Sequence, residues 1–163
     1  MLESQTLISE VIIMYKAYAV SDLHFGRWIR NNPEKDFRMK VQPQKLAERI
    51  VELMKSNSST DLFILGDLID SWNEDPEVQN VLLNFLSYII NQIPEIKIRY
   101  IIGQHDMFIQ DNFKVDASYV HMLTNVFPDN FIYSHDTYFE INGTKFYMSN
   151  FNLPLAIRAQ NAA

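Results

Sequence analysis

The chain contains no cysteine, which removes disulfide bonds and thiolate metal ligands together. It also lacks an apolar run of the roughly 18 residues that a membrane span needs. The opening stretch from Met1 to Ile13 carries Glu3 and Glu10 but no basic residue, so it does not read as a secretory leader. These absences predict a cytoplasmic protein with no membrane partner. Basic residues are the minority: 14 Lys and Arg stand against 20 Asp and Glu, for a net charge of −6. That balance excludes a uniformly basic nucleic-acid coat. The deficit is uneven, because Arg27, Arg30, Lys35, Arg38 and Lys40 face only Glu34 and Asp36 within one stretch, which is locally +3. Glycine is also scarce, with 4 in 163 residues.

What is present is ample core material. Apolar residues make up 47% and aromatics 13%, too much for a disordered chain and enough for one folded domain. No repeat, low-complexity tract or Gly/Ser linker divides it. Val11 to Val20 is β-rich and ends at Ser21-Asp22, which predicts a buried first strand. Residues 25–42 are polar and irregular and predict a long loop. Pro43 opens a helix carrying Leu46, Ile50, Leu53 and Met54 at helical spacing. Asp61–Leu65 predicts a second strand, Pro76 a second helix ended by Pro94, and Ile96–Ile102 a third strand. Ala117–Val126 predicts a short helix, and Phe131–Tyr133 a further strand. Thr137–Ile141 and Lys145–Met148 follow as strands, joined by the hairpin signal Asn142-Gly143. Alternating strands and helices imply an α/β layer with parallel strands and a later β-hairpin.

In open α/β sheets, ligands bind beyond the carboxyl ends of the strands. Here those ends read Ser21-Asp-Leu-His-Phe-Gly26, Gly66-Asp-Leu-Ile-Asp70 and Gly103-Gln-His-Asp106. Three of the four glycines lie in these turns. In an extended Asp-x-His the side chains at i and i+2 point the same way, so Asp22 and His24 can grip one cation. Asp67 has two oxygens and can bridge two cations, and Gln104 offers an amide oxygen to the second. His105 then stands beside the metals, able to protonate a leaving alkoxide. Nitrogen-plus-oxygen ligation suits manganese, iron or zinc. Each fragment alone has a plainer reading. Asp-x-His occurs by chance, Asp70 resembles a helix cap, and Gly-Gln-His-Asp is an ordinary polar loop. Their succession at three consecutive strand ends favours the metal site.

With these residues in hand, the chain resembles the calcineurin-like metallophosphoesterases, whose first three signatures match Asp22-Leu-His24, Gly66-Asp67-Leu-Ile-Asp70 and Gly103-Gln104-His105-Asp106. The resemblance runs from about Tyr15 to about Asn152 and implies the N-terminal portion of a four-layer α/β/β/α sandwich. By position it makes Asp22, His24 and Asp67 ligands of the first metal, Asp67 the bridge, and Gln104 a ligand of the second. His105 becomes the catalytic histidine, Asp106 the residue that orients it, and Asp70 a structural residue. Asp-Leu-His-Phe-Gly, Gly-Asp-Leu-Ile-Asp-Ser-Trp and the glutamine in Gly-Gln-His-Asp are similar to phage-like SbcD-type DNA exonuclease subunits. That likeness implies two divalent ions, manganese first and iron, zinc or magnesium as substitutes. It also implies DNA as substrate, an SbcC-type ATPase partner and a homodimer.

The chain departs from the pattern by carrying no Gly-His-x-His, the pair that completes both metal shells. We therefore expect residues 14–152 to be an incomplete phosphoesterase domain, flanked by an extension (1–13) and a tail (153–163), with weak or single-metal binding and little turnover. His121 and His135 are expected to be structural. Arg27, Trp28 and Arg30 directly follow the first motif. Arginine pairs with phosphate and tryptophan stacks on bases, so they are candidate DNA contacts. The plainer reading is a solvated loop. Trp72 and Met107-Phe108-Ile109 are expected to pack. Two competing functions are a small phosphatase or cyclic-nucleotide phosphodiesterase, and a non-catalytic binding module or inhibitor on the same fold.

Overall fold

A computed structural model describes residues 16–26, 37–70, 76–106, 108–109, 115–116, 118–134, 136–141 and 143–149. Its elements run β1 (Tyr18–Val20), α1 (Gln42–Ser56), β2 (Asp61–Leu65), α2 (Pro76–Gln92), β3 (Lys97–Ile101), β4 (Phe108–Ile109), β5 (Val115–Asp116), α3 (Ser118–Val126), β6 (Phe131–Tyr133), β7 (Thr137–Ile141) and β8 (Thr144–Met148). The parallel sheet has the order β1-β2-β3-β6. Each new strand joins the same edge. Right-handed crossovers then force every connecting helix onto one face.

The residue pattern agrees. Leu62, Ile64, Ile98, Tyr100 and Phe131 turn toward the helices and belong to the main core, with Ala47, Ile50, Met54, Leu82, Phe85, Leu86 and Leu123. The buried face of α1 is Ala47, Ile50, Val51 and Met54, spaced for one helical stripe. Leu46 and Leu53, expected on that stripe, are only partly buried. The stripe is centred on Ala47 instead, which is fully buried. Helix α1 ends where Ser58 takes a left-handed φ of 50° and the Ser59 N–H returns to the Met54 carbonyl at 2.9 Å, closing the last turn.

The opposite face is covered by the antiparallel hairpin β7–β8, paired from Thr137↔Met148 to Ile141↔Thr144. Phe63, Ile141 and Met148 form a second, smaller core there with Ile101 and Phe139. The Phe63, Phe139 and Phe146 rings stack in a group, with centroids 5.4–5.9 Å apart. The Arg99 guanidinium lies 4.9 Å from the Phe139 centroid and 5.7 Å from that of Phe63, and it forms an ion pair with the buried Asp61. The result is an α/β fold: helices, parallel sheet and hairpin in successive layers.

Two features differ from the sequence-based expectation. Residues 37–41, expected as loop, form a π-helical turn that runs into α1. Val41 has helical dihedrals and no side chain caps Gln42, so nothing halts the winding there, and Met39 is carried into the core. The ribbon β4–β5 was not foreseen either, because two-residue strands are too short to show periodicity. Residues 11–15 of the expected first strand, together with Trp72 and His135, lie outside the described residues. Among the described residues no helix is long and apolar enough to cross a membrane.

The ring stack gives a stability prediction. Phe63→Ala should lower the unfolding free energy by about 3 kcal/mol, measured by urea denaturation. Leu65→Ala, on the same face but 45% exposed, should cost under about 1 kcal/mol. Equal losses would show that the hairpin is not seated through Phe63.

Candidate metal centre

Strands β1, β2 and β3 end side by side, and the chains beyond them continue to pair. The His24 N–H donates to the Asp67 carbonyl at 2.9 Å, Phe25 N–H to that of Leu68 at 3.0 Å, and Asp70 N–H to that of Phe25 at 2.9 Å. This lacing fixes the first two motifs together. The third approaches through glycine. A Cβ on Gly66 would fall 2.8 Å from the Gly103 Cα, and one on Gly103 would overlap the Asp67 nitrogen and carboxylate. Neither position has room for a side chain, which gives these two scarce residues a steric reason.

Ligand atoms of His24, Asp67 and His105 all lie within 4.8 Å of one another. The two imidazoles meet edge-on, with centroids 4.6 Å apart and planes at 85°. Asp22 stands at the rim, its side chain 69% exposed and its Oδ1 3.9 Å from His24 Nε2. Asp22 and His24 are not extended as expected: their φ values are 54° and 45°, and Asp67 has 50°. The strand stops at Val20, and the chain coils left-handed to bury Phe25 while His24 still pairs with Asp67. The two side chains reach the same side by this route.

Asp70 was expected to be structural, yet its carboxylate lies beside both rings, behind their Nδ1 atoms. Its Oδ1 is 3.1 Å from His24 Nδ1 and 4.0 Å from His105 Nδ1. His105 Nδ1 also lies 2.9 Å from the Asp70 carbonyl oxygen. A carbonyl only accepts, so His105 carries its proton at Nδ1 and Nε2 is left for a cation or a substrate oxygen. His24 Nδ1 is buried and lacks a properly directed hydrogen bond despite that short distance. It is an orphaned polar atom, and a ligand held on Nε2 would orient the ring to settle it. Two nitrogens and a carboxylate converging this way fit a divalent transition-metal ion.

Asp106 was expected to orient His105, but it turns inward. It is 1% exposed, its Oδ2 accepts the Gly103 N–H at 2.8 Å, and its Oδ1 accepts the Ile69 N–H at 3.0 Å. Burial raises its carboxyl above the ordinary value, opposed by hydrogen bonds from Ile69, Tyr100 and Gly103. Burial also pushes the Tyr100 phenol well above its usual value, with the Asp106 charge adding to it. Gln104 is exposed in the same turn. Arg27, Trp28 and Arg30 lie outside the described residues. His121 is exposed on α3, edge-on to Tyr133 at 6.1 Å. Asp70 was the residue missed; its place three after Asp67, in a loop laced to His24, was the available signal.

Three parallel strand ends, two bare glycine turns and a mixed nitrogen–oxygen donor set define an α/β metallohydrolase centre. A family model, calcineurin-like phosphoesterase, matches residues 15–158. The chain belongs to that family, whose chemistry is metal-dependent phosphoester hydrolysis. No curated protein matches the chain.

The left-handed backbone at Asp22 gives a prediction. A non-glycine residue there costs about 1 kcal/mol, partly offset by glycine's larger unfolded-state entropy. Asp22→Gly should therefore raise metal-free stability by roughly 0.5 kcal/mol while weakening cation binding. A lower melting temperature in chelator would contradict it.

Proposed function

We propose that this chain is a metal-dependent phosphodiesterase that acts on DNA, with manganese as its working ion. The observation that carries the reading is the His24–Asp67–His105 cluster, with Asp70 behind both imidazoles. When bound, a divalent cation polarises the phosphoryl group and offsets the charge that develops on it. His24 and Asp67 would hold the cation, with the exposed Asp22 available as a further oxygen donor at the rim. His105 Nδ1–H donates to the Asp70 carbonyl oxygen, which leaves Nε2 presented to the site. Carrying a second proton there, it donates to the departing alkoxide. DNA as the substrate is supported by the Asp-Leu-His-Phe-Gly and Gly-Gln-His-Asp wording, similar to SbcD-type subunits, and by the +3 stretch that follows the first motif. An ATPase partner of the SbcC type belongs to the same proposal.

One cluster of three such ligands occurs among the described residues, and no Gly-His-x-His occurs in the sequence. Both favour weak binding of one cation over two, and slow turnover.

Titration calorimetry with Mn²⁺ should give about one ion per chain, and His24→Ala or Asp67→Ala should weaken it by about 100-fold or more. Linear DNA should be cut slowly and only without chelator. Absence of Mn²⁺ binding would overturn the reading. Turnover of a chromogenic phosphodiester with no DNA binding would move the substrate to small phosphoesters.

A further inference from the structure

We infer that Asp106 is a positioning residue that clamps the two metal-bearing loops after β2 and β3 in register. It follows His105 directly, yet its carboxylate is buried beneath the site. Three donors converge on it from three places: the Ile69 N–H in the β2 loop, the Gly103 N–H in the β3 loop, and the Tyr100 hydroxyl in β3 itself. The tie is reciprocal. Asp67, in the β2 loop, accepts the His105 N–H at 2.9 Å, while Asp106, in the β3 loop, accepts the Ile69 N–H at 3.0 Å. Each loop's carboxylate thus holds a backbone amide of the other.

A carboxylate suits this position because it offers acceptors on both oxygens and no donor. Each oxygen accepts a backbone N–H, so an asparagine of the same shape would turn its NH₂ group toward one of them in either flip and leave a donor facing a donor. The sheet below does not depend on the clamp. Strands β2 and β3 already pair over Asp61↔Lys97 to Leu65↔Ile101. The carboxylate therefore governs where Asp67, Asp70 and His105 stand rather than whether the strands form.

This inference rests on the metal-site reading, and its test separates the two. Wild type, Asp106→Asn, Tyr100→Phe and a core control, Leu123→Ala, are compared at a temperature where circular dichroism shows each folded. Two quantities are measured: Mn²⁺ affinity, and amide exchange in the metal-free chain. Asp106→Asn is expected to weaken Mn²⁺ by about 10–100-fold and to speed exchange at Ile69 and His105, leaving Phe63 and Arg99 unchanged. Tyr100→Phe keeps its ring in the core and should show a smaller loss of the same kind, so it carries the test if Asp106→Asn does not fold. Leu123→Ala should bind Mn²⁺ as wild type does. The clamp is refuted if the Asp106 variant matches wild type in both readouts, or if the core control shares its loss. Wild type that binds no Mn²⁺ refutes the metal reading instead, and exchange at Ile69 and His105 then decides the clamp alone.

Discussion

Backbone contact between Gly66 and Gly103 is the constraint on which the site depends. Parallel strands are held about 4.8 Å apart by their ladder, but the loops beyond them are free to diverge. Here they do not, because two residues without side chains allow the main chains to touch just past the last paired residues. That approach puts the Asp67 carboxylate against the Gly103 backbone and within reach of the His105 amide. Everything polar above it, including the edge-on imidazoles, inherits its position from this contact.

Three aspartates from two neighbouring loops do different work because their surroundings differ. Asp67 is partly exposed and faces the space between the histidines. The Asp70 carboxylate lies behind the rings, and its backbone carbonyl sets where His105 keeps its proton. Asp106 is buried and faces two backbone amides and the Tyr100 hydroxyl. Unpaired, such a buried carboxylate would be costly; three donors make it tolerable. A flexible acidic loop would repel itself. These two loops hold their acids apart because each acid has a different neighbour.

Much of this was legible in sequence. The strand–helix alternation, the hairpin and the three motif ends all follow from periodicity and from the placement of scarce glycine. What was not legible is direction. The spacing Asp22-x-His24 suggests an extended pair, whereas the chain coils left-handed so that Phe25 can reach the core. Adjacency of His105 and Asp106 suggests partnership, but consecutive residues in a turn point apart, and the nearer carboxylate comes from Asp70 on the neighbouring loop. Likewise the buried stripe of α1 centres on Ala47, leaving the larger Leu46 and Leu53 only partly covered.

The Arg99–Asp61 pair, roofed by Phe63 and Phe139, has a practical corollary. Ions in solution screen charges that water can reach, and this pair is largely withdrawn from water. High ionic strength should leave the hairpin seated while it strips any contacts made by exposed guanidinium groups with a polyanion. Salt therefore works on this molecule as a selective solvent, dissolving surface attraction without loosening the architecture beneath it.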